Sequence, residues 1–150
     1  MNSFVWLAWT IAILLPFSPF SYLQPILVGG AAGTWFLLGY VLFLAITVLG
    51  FAVVASLLTA IETDERRELN HGIMLIGFIL LYAGAVGGCL LLGVAGLVGA
   101  YPQITQNSTV SATQEVLSQF VTPISAACLL AVAGAALTVF GMGTAKASRR

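Results

Sequence analysis

Apolar residues in this chain gather in long uninterrupted runs, not in the alternation of a half-buried strand or the three-four spacing of an amphipathic helix. The runs at 35–61, 72–100 and 121–142 contain no Asp, Glu, Lys or Arg. Each exceeds the roughly 20 residues needed to cross the hydrocarbon of a bilayer. A fourth run at about 3–18 is shorter, apolar from Phe4 to Leu15 and then met by Pro16 and Pro19. Proline ends or kinks a helix, so helix is predicted only to about residues 15–20. No basic residue precedes this run and no small-x-small cleavage pattern follows it, so it reads as a retained span and not a signal peptide. The pattern predicts an all-α integral membrane bundle of four helices, one domain over 1–150, its first span short and proline-broken.

The connections at 19–34, 62–71 and 101–119 carry their own signals. Ser21 to Thr34, with Pro25 and the small cluster Gly29 to Gly33, reads as a bent interfacial or partly inserted connection. Irregular backbone at membrane depth must be covered by protein or water. Pro102 is expected to stop the third helix. The capping-box spacing of Ser111 to Gln114, ahead of Val116, Leu117 and Phe120, predicts a short amphipathic surface helix. Thr122 and Pro123 predict the cap and first position of the fourth helix. Asn107, Ser108 and Thr109 form a glycosylation sequon. Glu62 and Arg66, four apart, are placed to pair if the second helix continues into water.

Composition narrows the class further. Hydrophobic residues make up 60% of the chain and charged residues 7%, against about a quarter charged in soluble domains. The solvent for most of this chain is therefore lipid. Net charge is zero, and no basic patch with interleaved aromatics invites nucleic acid. The basic residues lie at Arg66, Arg67, Lys146, Arg149 and Arg150, and 101–119 has none. The positive-inside rule then predicts a multi-pass protein of the cell membrane with both termini cytoplasmic.

Small residues form stripes on the third and fourth helices. Gly77, Gly84, Gly88, Ala95 and Gly99 share one side, with Ala85, Cys89, Gly93, Gly96 and Ala100 beside them; the fourth helix offers Ala127, Ala131, Gly134, Thr138 and Gly141. Lipid tails are as apolar as leucine, so burying leucine does not drive helices together, whereas close backbone approach does. One stripe suits the fourth helix. Two adjacent stripes predict a wide face that meets a second helix or a flat ligand as well, and extra protein partners are favoured.

Candidate chemistry is sparse. No Asp, Glu, Lys or Arg lies within a predicted span, which argues against a self-contained proton-coupled carrier, pump or voltage sensor. No paired carboxylates, Ser/His/Asp set, phosphate loop or Cys-x-x-Cys is present, so neither an enzyme nor a cofactor is expected. His71, the only histidine, stands at the inner mouth of the third helix, as a polar helix-end residue or as a haem or metal ligand. Cys89 and Cys128 read as small hydrophobes at different depths, Cys128 just inside the outer end of its helix and Cys89 about 16 Å from that boundary. That separation precludes a disulfide. The hydroxyls of Tyr40, Tyr82, Thr47, Ser56, Thr59 and Thr138 are expected to bond their own helix or a neighbour.

Three functions follow as expectations. The first is a non-catalytic accessory subunit of a larger membrane complex, such as a respiratory or other energy-transducing one, whose partners are the bilayer and other subunits or copies of itself. The second is a homo-oligomeric pore or small carrier for an uncharged solute, with Thr47, Ser56 and Thr138 facing its axis. The third is a haem- or quinone-binding cytochrome-type subunit using His71.

Overall fold

The computed structural model describes residues 1–15, 23–28, 30–64, 67–68, 71–106, 109–143 and 146–147. In chain order the elements are α1 (Asn2–Leu14), α2 (Leu23–Val28), α3 (Gly30–Leu42), a π-helical segment (Phe43–Gly50), α4 (Phe51–Asp64), β1 (Arg67–Glu68), α5 (His71–Gln106), α6 (Val110–Gly143) and β2 (Lys146–Ala147). The described residues are helical apart from two short strands. Among the described residues, three helical stretches are long and apolar enough to cross a membrane: Gly30–Ile61, Gly72–Ile104 and Val110–Met142.

These stretches run alternately up and down. As residue numbers rise along α5 they fall in step along α6, from Met74 beside Gly141, through Gly77 beside Thr138 and Gly84 beside Ala131, to Gly99 beside Leu117. α3 likewise runs against α5, with Phe36 beside Gly96 and Gly39 beside Cys89 and Gly93. At one end β1 pairs antiparallel with β2, Arg67 opposite Ala147 and Glu68 opposite Lys146. This ladder end therefore gathers Arg67 and Lys146. The start of α3, the end of α5 and the start of α6 form the opposite, α3 end.

Several sequence expectations change at the α3 end. Pro102 does not stop the third helix: it lies inside α5, which continues to Gln106. Pro123 likewise lies inside α6 and does not open it. Proline is tolerated within membrane helices because neighbouring groups re-satisfy the backbone it frees. The separate surface helix is absent for a packing reason. Leu117 and Thr113 are buried, and Leu117 lies over Gly99, so the stretch docks on α5 and joins α6 without a break. The helix opens after Thr109, whose carbonyl accepts the Thr113 N–H at 3.3 Å.

α3 also begins earlier than expected, at Gly30 rather than Trp35. Gly30 has φ +70°, a left-handed conformation open to glycine at no steric cost, and it marks the junction with α2. Ile26 of α2 is buried with Ala32, Phe36 and Ala100, and Trp9, Ile13, Leu27 and Leu97 pack around them. That cluster is the cover which the irregular connection required. The part of the connection at 16–22 lies outside the described residues.

α1 is the exception among the apolar helices. At 13 residues it measures about 20 Å, against a hydrocarbon thickness of about 30 Å. Its first turn lies level with the middle of the Gly30–Ile61 stretch, where the Asn2 amide reaches Thr47. Its later residues, Trp9 and Ile13, pack at the α3 end. α1 thus lies beside half of the bundle.

Candidate functional site

The α5–α6 seam is built from close backbone contact. A methyl group on Gly84 would lie 2.6 Å from the Ala127 carbonyl oxygen and 2.8 Å from Ala131 Cα; one on Gly77 would lie 2.7 Å from the Thr138 nitrogen. On the facing helix, a methyl on Gly134 would meet Leu81 Cα at 2.6 Å, and one on Gly141 would meet Met74 Cγ at 2.6 Å. Gly88 is looser, with Ala127 Cβ at 3.5 Å. Ala95 is fully buried, and Gly99 sits between Leu117 and Ala32. Thr138 is buried and its hydroxyl donates to the Gly134 carbonyl at 2.8 Å.

The second stripe of α5 is covered by the same chain. A methyl on Gly96 would fall 2.6 Å from Phe36 Cα, one on Gly39 would fall 2.7 Å from the Cys89 oxygen, and one on Gly93 would meet the Trp9 ring. The wide smooth face therefore receives α3 and Trp9, leaving neither stripe for a partner or a flat ligand. The same register corrects the cysteine depths. Because α6 starts at Val110, Cys128 follows Ala127 at mid-helix, across from Gly88 and its neighbour Cys89. The two thiols share a level, Cys89 buried and Cys128 exposed, and both are free.

A polar node stands at mid-bundle. Asn2 Nδ2 donates to the Thr47 carbonyl at 2.9 Å, and Tyr82 Oη donates to Asn2 Oδ1 at 2.9 Å. The Thr47 hydroxyl, buried, donates back to the Phe43 carbonyl at 2.6 Å. The Thr47 carbonyl lies where the backbone hydrogen-bond ladder changes register. An unbroken α-helix would aim the Phe51 N–H at it, but that N–H bonds Val48 instead. Above the node, Thr10 and Tyr40 hydroxyls lie 2.8 Å apart, Trp6 stacks on Tyr40 at 5.6 Å, and Trp9 meets Phe36, Tyr40 and Phe43 edge-on. The Trp6 indole nitrogen is buried without a hydrogen-bond partner.

Comparison of the chain with protein-family models, curated proteins and solved structures finds no match. Function must be read from the geometry alone.

Of the other sequence candidates, His71 is the first residue of α5, but its side chain lies outside the described residues, as do Asn107 and the Glu62–Arg66 pair. Among the described residues no group of three or more His, Cys, Asp or Glu could hold a metal. Thr47 and Thr138 are buried with hydroxyls turned to their own helices, whereas Ser56 is exposed.

Below the node, α4 meets α5 through Phe51, whose ring lies 5.1 Å from Phe78 and 5.6 Å from Tyr82. The helices then diverge around an open apolar groove of about 330 Å³ lined by Leu58, Met74, Leu75, Phe78 and Thr138. Ala52, Ser56, Thr59 and Thr63, one stripe of α4, are exposed. The Ser56 and Thr59 hydroxyls donate to Ala52 and Ala55 at 2.9 and 3.0 Å. Sequence reasoning missed Asn2 and this stripe. An asparagine at the head of an apolar helix was the available signal, because in hydrocarbon its amide needs partners.

Proposed function

We propose that the protein is a non-catalytic subunit of a larger membrane assembly and that α4 is the surface it presents to its partner. One observation carries this reading: Ala52, Ser56, Thr59 and Thr63 form a small, hydroxyl-bearing stripe that no other described helix of the chain covers. Small residues with self-satisfied hydroxyls let a second helix approach to backbone contact, the main source of helix adhesion in lipid.

The proposed orientation has the ladder end in the cytoplasm, because Arg67 and Lys146 gather there. On that placement the α4 stripe lies in the cytoplasmic leaflet. The test is extraction from the native membrane in gentle detergent, followed by native mass measurement and photo-crosslinking from position 56. A complex heavier than the chain, with crosslinks to protein from position 56 and to lipid alone from Val139, supports the proposal. A bare monomer with only lipid crosslinks at both positions contradicts it.

A further inference from the structure

We propose that α4 is a swinging half-helix, hinged at the π segment and latched by the side chain of Asn2. The hinge lies where the hydrogen-bond ladder changes register. Eight residues, Phe43–Gly50, take π geometry between two α-helical halves of one span. Wide turns of this kind are rare and are where membrane and soluble helices kink. On one side of the hinge α3 is immobilised by backbone contact, Phe36 against Gly96 and Gly39 against Cys89 and Gly93. On the other side α4 is held by ring contacts at its first residue, Phe51, and beyond its last turn by the β1–β2 ladder, while Val54, Leu58 and Ile61 between them are only half-buried.

Below Phe51 the groove bounded by Leu58, Met74, Leu75 and Phe78 gives α4 room to move inward. Its outer stripe is uncovered, so it also has room to move outward. A segment with few buried contacts opens at little cost. The latch is Asn2: its amide takes the Thr47 carbonyl inside the hinge, and its carbonyl oxygen receives the Tyr82 hydroxyl from α5. One side chain thereby ties α1, the hinge and α5 together. Releasing it frees the hinge while leaving the glycine contacts of α3 intact. This inference does not depend on which partner α4 meets.

Distances between paired nitroxide labels on the full chain in lipid nanodiscs test it, with Cys89 and Cys128 replaced by alanine. One pair, at Leu57 and Ile76, spans α4 and α5; the control pair, at Leu38 and Val94, spans α3 and α5. The distance distribution of the α4 pair is expected to be about twice as broad as that of the control. Asn2→Ala broadens the α4 pair further and leaves the control unchanged, and Tyr82→Phe does the same to a smaller degree. Deleting Ala45, which returns the wide turns to α geometry, narrows the α4 pair to the control width. An α4 pair as narrow as the control overturns the proposal. So does an Asn2→Ala effect equal at both pairs, which marks general loosening. Should Asn2→Ala fail to fold, Tyr82→Phe and the deletion decide, and no change in either overturns the latch.

Discussion

The two halves of the Gly30–Ile61 stretch are both apolar and meet the same neighbour, yet α3 is packed and α4 is not. The difference lies in what α5 offers each of them. Opposite α3, α5 presents Gly93, Gly96 and Ala100, and the backbones come into contact. Opposite α4, the same flank carries Tyr82, Phe78, Leu75 and Met74, and the small residue at that level, Gly77, is already taken by Thr138 and Gly134 of α6. Bulky side chains hold α4 off. Leucine against leucine gains little where lipid is the alternative, so the ladder-end half has no force closing it. Helix adhesion in this protein follows the placement of small residues and not hydrophobicity.

The largest test of that comparison is substitution inside the seams. Gly134→Val drives a side chain into the backbone of Leu81 and is expected to cost about 3 kcal/mol, measured as the shift of denaturant unfolding in bicelles. Gly96→Val, into Phe36, belongs to the same class. Gly87→Val is the control on the same helix, because a side chain there meets nothing within 4 Å; its effect is expected to stay within about 0.5 kcal/mol. A Gly87 effect as large as that of Gly134 breaks the comparison.

Trp9→Ala comes next. The ring fills the notch at Gly93 and contacts Phe36, Tyr40 and Phe43. Its loss is expected to cost about 2 kcal/mol, less than in a soluble core because lipid can replace part of the contact. The same unfolding measurement reads it. Hydrogen exchange sharpens it, since amides of α3 lose protection while those of α6 keep theirs. The smallest effect belongs to Tyr82→Phe, which removes one hydrogen bond to Asn2 and is expected to cost about 0.6 kcal/mol. A cost above that of Trp9→Ala would make the polar node, and not small-residue contact, the main fastening of α1.

Much of this architecture was legible in the chain, and the parts that were not share a cause. Charge-free runs marked the three long helices, and the spacing of Gly77, Gly84, Gly134 and Gly141 marked the sides that meet in the α5–α6 seam. Pro102 and Pro123 misled because their rule comes from helices in water, whereas here Leu117 on Gly99 holds the outer stretch in line. Once that stretch joined α6, the depth assigned to Cys128 moved to mid-helix. The packing of α1 along only half of the bundle is invisible to hydropathy, which reports that a segment is apolar but not where it sits. Nothing in Phe43–Gly50 announces a π segment. Its partner Asn2 lies 45 positions away from Thr47, a tertiary pairing that no local pattern encodes.

Oxygen accessibility of nitroxides placed singly along residues 30–61, on the isolated chain in nanodiscs, bears most directly on the contrast between the halves. Deep minima are expected at Ala32, Phe36, Phe43 and Thr47, with labels at Ala52, Ser56 and Thr59 as accessible as those at Leu38 and Val41. Minima at Ala52, Ser56 and Thr59 as deep as those in α3 would contradict the account.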